Sequence, residues 1–143
     1  MIRILALIIY LSISMSPIKA DTIAVIGTGD VGGALGPEFA GLGHTVIYGS
    51  RNPQSEKVVA LVERTGRDAR AVRPMDAARG ADIVVLAVPG MLVAEIASGL
   101  GDLTGKIIVD PTNPLVRRDD GKLGIEGTRS NAEIIQAALP GAD

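Results

Sequence analysis

Residues 22–33 constrain the fold more than any other stretch. A short apolar, β-branched run, Thr22-Ile23-Ala24-Val25-Ile26, passes directly into Gly27-Thr28-Gly29-Asp30-Val31-Gly32-Gly33. The run has the character of a buried parallel strand. The residues after it, 30–42, are small and apolar and stop at Gly43, as a helix with a glycine C-cap does. A G-x-G-x-x-G pattern carries little information alone, but between a strand and a helix it marks a turn that receives a dinucleotide. Gly27 permits the tight turn, Gly29 lets the backbone approach a pyrophosphate, and Gly32 lets helix and strand pack closely. Thr28, Asp30 and Val31 complete the loop. Its N–H groups and the helix dipole both favour an anion at that end.

The rest of the chain repeats the alternation. Strands are predicted over 45–49, 67–73 (edge-like), 82–88 and 106–110, and helices over 53–65, 74–80, 91–100 and 130–139. Pro37 falls within the first helix and predicts a kink or a broken first turn. Residues 111–127 read as a polar, proline- and glycine-containing loop. Ser130 or Asn131 can cap the last helix. Strands separated by helices of this length require right-handed crossovers. The expected fold class is therefore α/β, a Rossmann-type doubly wound parallel sheet of about five strands.

Composition removes whole classes of function. The chain of 143 residues suits one domain. With Lys+Arg 14 against Asp+Glu 16 and a net charge of −2, it lacks the basic face that nucleic acid requires. Its aromatics are Tyr10, Phe39 and Tyr48 alone, too few for a base-stacking platform. No cysteine and the single histidine, His44, leave no thiolate or His-rich metal site and no Ser-His-Asp arrangement. His44 precedes the second strand, away from the glycine turn. Arg64, Arg67, Arg70 and Arg73 straddle a helix end and a strand, which predicts a solvated face.

The end of the second strand selects the nucleotide. An NAD site places an acid about 20 residues after the glycine motif, against the ribose hydroxyls. Here the strand runs into Ser50-Arg51-Asn52, and no acid lies between Phe39 and Gln54. A hydroxyl and a planar cationic fork suit a 2′-phosphate, so the preference reads as NADP(H). Ala87-Val88-Pro89 and Asn113-Pro114 close the fourth and fifth strands on the carboxyl edge, where they line the nicotinamide side of the crevice. No catalytic and no metal-ligating residue is assigned.

Residues 1–20, MIRILALIIYLSISMSPIKA, have a different character. Arg3, a twelve-residue apolar run and a small-residue exit at Ala20 have the layout of a secretory signal peptide, too short for a membrane-spanning helix of about 20 residues. Cleavage there gives an exported domain over 21–143 with no membrane span. Initiation at Met15 instead gives a cytoplasmic form with the same fold.

Three runs carry a family resemblance: IGTGDVGGALGPEFAGLGHTVIYGSRNP (26–53), ADIVVLAVP (81–89) and KIIVDPTNPL (106–115). Together they resemble the NADP-binding domain of the deazaflavin-dependent NADP oxidoreductases, over essentially all of residues 22–139. The amino-terminal domain of pyrroline-5-carboxylate reductase and the STEAP-type metalloreductases share the architecture. The resemblance implies that Ser50 and Arg51 hold the 2′-phosphate. It implies hydride exchange between NADPH and a deazaflavin or flavin-like acceptor, a small molecule, with the cofactors carrying the chemistry. Members of that family continue past a segment like 130–142 into a sixth strand and a helical part, so the fold is expected to be truncated before a sixth strand. Two alternatives stay open: a non-catalytic dinucleotide-binding module or remnant, and an exported protein that keeps the fold for another purpose. Homo-oligomerisation also stays open.

Overall fold

A computed structural model describes residues 20–125 and 128–143. The signal-peptide layout of residues 1–20 falls almost wholly outside these. The elements alternate as β1 (Thr22–Ile26), α1 (Asp30–Gly41), β2 (Thr45–Gly49), α2 (Glu56–Thr65), β3 (Arg70–Val72), α3 (Pro74–Arg79), β4 (Ile83–Leu86), α4 (Val93–Ser98) and β5 (Ile107–Val109). A hairpin of β6 (Leu115–Arg117) and β7 (Leu123–Ile125) follows, and then α5 (Asn131–Ala138). The main sheet is parallel in the order β3-β2-β1-β4-β5. That is the doubly wound order up to its fifth strand, with the switch between β1 and β4.

Alternation along the central strands divides the core. Ile23, Val25, Val85 and Ala87 face α1 and α2, where Ala40, Tyr48 and Leu61 complete one cluster. Ala24, Ile26, Val84 and Leu86 face the other layer, with Ala77 and Ala78 of α3, Val93 and Ala97 of α4 and Ile135 of α5. Both faces of β1 and β4 are covered, so these strands are apolar at successive positions rather than at every other one.

Several local expectations are corrected. The stretch after β5 is not loop throughout: β6 and β7 pair antiparallel with Leu115 opposite Ile125. The Asp120-Gly121 step turns the chain, with Gly121 at φ +79°, the hairpin chemistry that such a step encodes. The second helix begins at Glu56 rather than at Pro53, because a turn closes first, from Ser55 N–H to the Asn52 carbonyl (3.2 Å). The third strand shrinks to three residues, since Arg67 and Asp68 both take positive φ in the turn after α2. The helix predicted over 91–100 opens with a 3-10 turn at Gly90–Leu92.

Pro37 does not break α1, which runs through it. Proline offers no N–H to the carbonyl four residues back. That carbonyl, Gly33, accepts from Arg64 Nη2 of α2 at 2.9 Å instead. On the other edge, Asp143 lays a single parallel rung on β5. Its N–H donates to the Lys106 carbonyl (3.0 Å), and its carbonyl accepts from Ile108 N–H (2.8 Å).

Candidate functional site

The glycine turn separates packing from ligand space. At Gly27 the backbone has φ +106°, and a Cβ would collide with the Ala87 carbonyl at the end of β4. A Cβ on Gly32 would strike the Gly27 carbonyl, and one on Gly36 the Tyr48 hydroxyl. All three glycines are forced by neighbouring protein atoms. Gly29 is different: its φ is −79°, open to any residue, and a Cβ there meets nothing within 4 Å. The fold gives no reason for glycine at this position, while a group approaching the backbone from outside does.

Gly29 is also the N-cap of α1. No side chain caps the helix there, and the first helical bond runs from Gly33 N–H to the Gly29 carbonyl (2.7 Å). The amides of the first turn are thus left to an outside acceptor, as a helix N-terminus allows. Asp30 and Val31 are exposed on that turn, while Thr28 is half-buried.

The end of β2 lies beside it, since Gly27 N–H donates to the Gly49 carbonyl (3.0 Å). Ser50 follows, only 8% exposed; its N–H reaches the Val72 carbonyl (2.9 Å) and its Oγ accepts from Asn52 N–H (3.2 Å). The bond from Asn52 turns the loop and leaves the Ser50 hydroxyl proton free to be donated. Arg51 is exposed, and its carbonyl accepts from the Arg73 guanidinium at the end of β3. A groove of about 490 Å³ between α1 and α2 is lined by Thr28, Gly29 and Asp30 on one wall and by Lys57 and Arg64 on the other.

Arg64 and Arg73, which the sequence places on a solvated stripe, and Lys57, which it does not single out, stand beside these residues. The helical period that brings Lys57 and Arg64 to one wall, seven residues apart, was the available signal. Arg67 and Arg70 have no part in the groove.

At the exit of β4, Ala87 is buried, with Val88 half-buried and Pro89 exposed. Gly90 brings this segment against the exit of β5: a Cβ there would collide with the Asn113 carbonyl. The same carbonyl accepts from Leu115 N–H (2.8 Å), which fixes Asn113-Pro114 at the base of the hairpin. The structure therefore brings the predicted residues of β1, β2, β4 and β5 to one edge of the sheet. His44 lies at the opposite edge, its Nδ1 accepting from Asp21 N–H (3.3 Å). Among the described residues, no group of three or more His, Asp or Glu could hold a metal ion.

Residues 22–114 match the family model described as NADP oxidoreductase, coenzyme F420-dependent. The chain belongs to this family. Among curated relatives, the F420-dependent NADP reductase of Methanothermobacter thermautotrophicus is 40% identical over 108 residues, covering 71% of this chain and 47% of that protein. Metalloreductase STEAP3 of Rattus norvegicus is 26% identical over 131 residues, covering 90% of this chain and 24% of that one. A crystal structure from Arthrobacter sp. FB24, described as an F420-dependent NADP reductase, superposes with a TM-score of 0.77 at 30% identity. It covers 86% of this chain, which in turn spans 60% of that one. The chain thus spans a quarter to a half of the length of these curated relatives. A Rossmann-type domain of the F420-dependent NADP oxidoreductase family is the identity that sequence and fold share.

Proposed function

We propose that this domain binds NADPH along the carboxyl edge of the sheet and presents its nicotinamide for hydride transfer to a deazaflavin or flavin-like acceptor. The observation that carries the reading is Gly29. Gly27 and Gly32 on either side of it are sterically forced, whereas Gly29 faces open space. The pyrophosphate fills that space and accepts from the uncapped amides of α1. Ser50 and Arg51 take the 2′-phosphate, with Asn52 closing the turn behind them and Arg73 holding the Arg51 backbone. Lys57 and Arg64 add positive charge across the groove. Ala87, Val88 and Pro89 at the exit of β4, with Asn113 and Pro114 at the exit of β5, form the wall against which the nicotinamide lies.

Bound NADPH supplies the hydride. The residues of the chain bind and orient it; the reaction asks mainly for ring placement. Calorimetric titration with NADPH and NADH tests the reading. NADPH is expected to bind about ten- to a hundredfold more tightly, the value of a charge-assisted phosphate contact, and Arg51→Ala to remove most of that margin. Equal affinities in the wild type would overturn it. Oxidation of NADPH in the presence of a deazaflavin or flavin separates an oxidoreductase from a module that binds without turnover.

A further inference from the structure

Asn131 is the first residue of α5 and lies far in sequence from the glycine turn and the 2′-phosphate loop. Ser130 caps the helix, its Oγ accepting from Glu133 N–H while the Glu133 carboxylate accepts from Ser130 N–H. That leaves the Asn131 side chain free of a capping role, yet it is 5% exposed. A buried amide without partners is costly, so its hydrogen bonds reveal its task. Its Nδ2 donates to Thr112 Oγ1 at 2.7 Å and, over a longer 3.4 Å, to the Gly90 carbonyl. Thr112 donates its one hydroxyl proton to Asp110 Oδ1, and the Thr112 N–H donates to the same oxygen (2.9 Å). The direction of the chain is therefore set: Asn131 to Thr112 to Asp110.

These contacts join three segments at one edge of the sheet. Gly90 belongs to the exit of β4, and Asp110 and Thr112 to the exit of β5. An added Cβ at Gly90 would stand 2.9 Å from Asn131 Nδ2 as well as against Asn113. Nothing in the network touches Ser50, Arg51 or the glycine turn. We propose that Asn131, acting through Thr112 and Asp110, is a positioning device that sets the spacing of the β4 and β5 exits and so aligns the nicotinamide half of the cofactor alone. The inference rests on the NADPH reading above.

The test compares two ligands. NADPH spans both halves of the crevice, whereas adenosine 2′,5′-bisphosphate reaches only the half formed by the glycine turn and the β2 exit. Thr112→Val replaces the hydroxyl with a methyl of the same shape, and Thr112→Ser keeps the hydroxyl. Thr112→Val and Asn131→Ala are each expected to weaken NADPH about tenfold, the worth of a hydrogen bond in a polar network, and to leave the bisphosphate unchanged. Thr112→Ser should bind NADPH like the wild type, and the fluorescence of bound NADPH should change in Thr112→Val but not in Thr112→Ser. Equal losses for both ligands would show a merely structural role, and unchanged NADPH binding would show none; either overturns the inference. If Asn131→Ala does not fold, the two Thr112 variants still decide. Failure of the wild type to bind NADPH overturns the parent reading and this one together. Normal binding by the wild type with indifferent variants overturns this one alone.

Discussion

A single missing Cβ has opposite meanings at Gly29 and Gly32. Valine at 29 has room on the protein side, since nothing stands within 4 Å of the new carbon. Gly29→Val is therefore expected to fold with near-wild-type stability and to lose NADPH binding, because the side chain occupies the space assigned to the pyrophosphate. Gly32→Ala drives its methyl into the Gly27 carbonyl and toward Val25 Cγ1 at 3.2 Å. It should cost about 1–3 kcal/mol of unfolding free energy, the usual penalty of overpacking. Urea denaturation beside nucleotide titration separates the two. A Gly29→Val variant that binds normally would refute the assignment of that space. The motif by itself distinguishes the packing glycine, Gly32, from Gly29; it does not show that the Ala87 carbonyl closes on Gly27 or the Tyr48 hydroxyl on Gly36, because these are distant in the chain and only the fold brings them near.

The elements that carry the site depend on bonds between neighbouring helices and strands. Arg64 serves the carbonyl that Pro37 leaves unpaired, so α1 survives its proline by borrowing a donor from α2. Arg64→Met should destabilise by about 1 kcal/mol, and by less in a Pro37→Ala background, where an N–H is again available within the helix. A double-mutant cycle in denaturant reads this coupling; additive losses would mean that the bond contributes nothing.

Tyr48 binds β2 to α2 through a bond to Thr65 Oγ1 (2.7 Å). Thr65 spends its own proton on the Leu61 carbonyl, so the phenol is the donor. Burial raises the Tyr48 pKa above the ordinary tyrosine value, outweighing the smaller lowering by the Arg64 charge. The neutral phenol is thus favoured in the fold. The stability it confers is whole below the unfolded value of about 10 and is lost as pH rises from there through the folded one. Stability measured from pH 8 to 11 should fall more steeply in the wild type than in Tyr48→Phe. Parallel curves would contradict the burial argument.

At the scale of the molecule, the strand order sets the site. The order β3-β2-β1-β4-β5 puts the switch between β1 and β4, and the crevice opens above it with the Ser50–Asn52 loop on one side and the β5 exit on the other. A dinucleotide lying there touches segments of both helical layers, so binding should stabilise the whole fold. NADPH at a hundredfold excess over its Kd is expected to add about 2.7 kcal/mol and to raise Tm by roughly 10 °C. NADH at the same concentration should raise it much less. A Tm that responds equally to both nucleotides would contradict the preference assigned to Ser50 and Arg51.

What the sequence determined by itself was local and periodic. The β-branched runs at 22–26 and 83–86, the helical patterns between them and the glycine turn were enough to establish a parallel α/β sheet. They were also enough to bring the predicted residues to its carboxyl edge, because strand direction and crossover hand leave few topologies. Tertiary structure decided whatever depends on a partner distant in the chain. Arg64 and Arg73 look like any surface arginines until α2 packs on α1 and β3 beside β2. Asn131 looks like a helix cap until the exits of β4 and β5 come within reach of its amide. The hairpin at 115–125 does not show in the sequence because its strands bury no continuous apolar run: Leu115, Leu123 and Ile125 are all exposed. Hydrogen bonds are short-ranged and directional, so a sequence reveals which groups can form them, while the fold alone brings donor and acceptor to within about 3 Å.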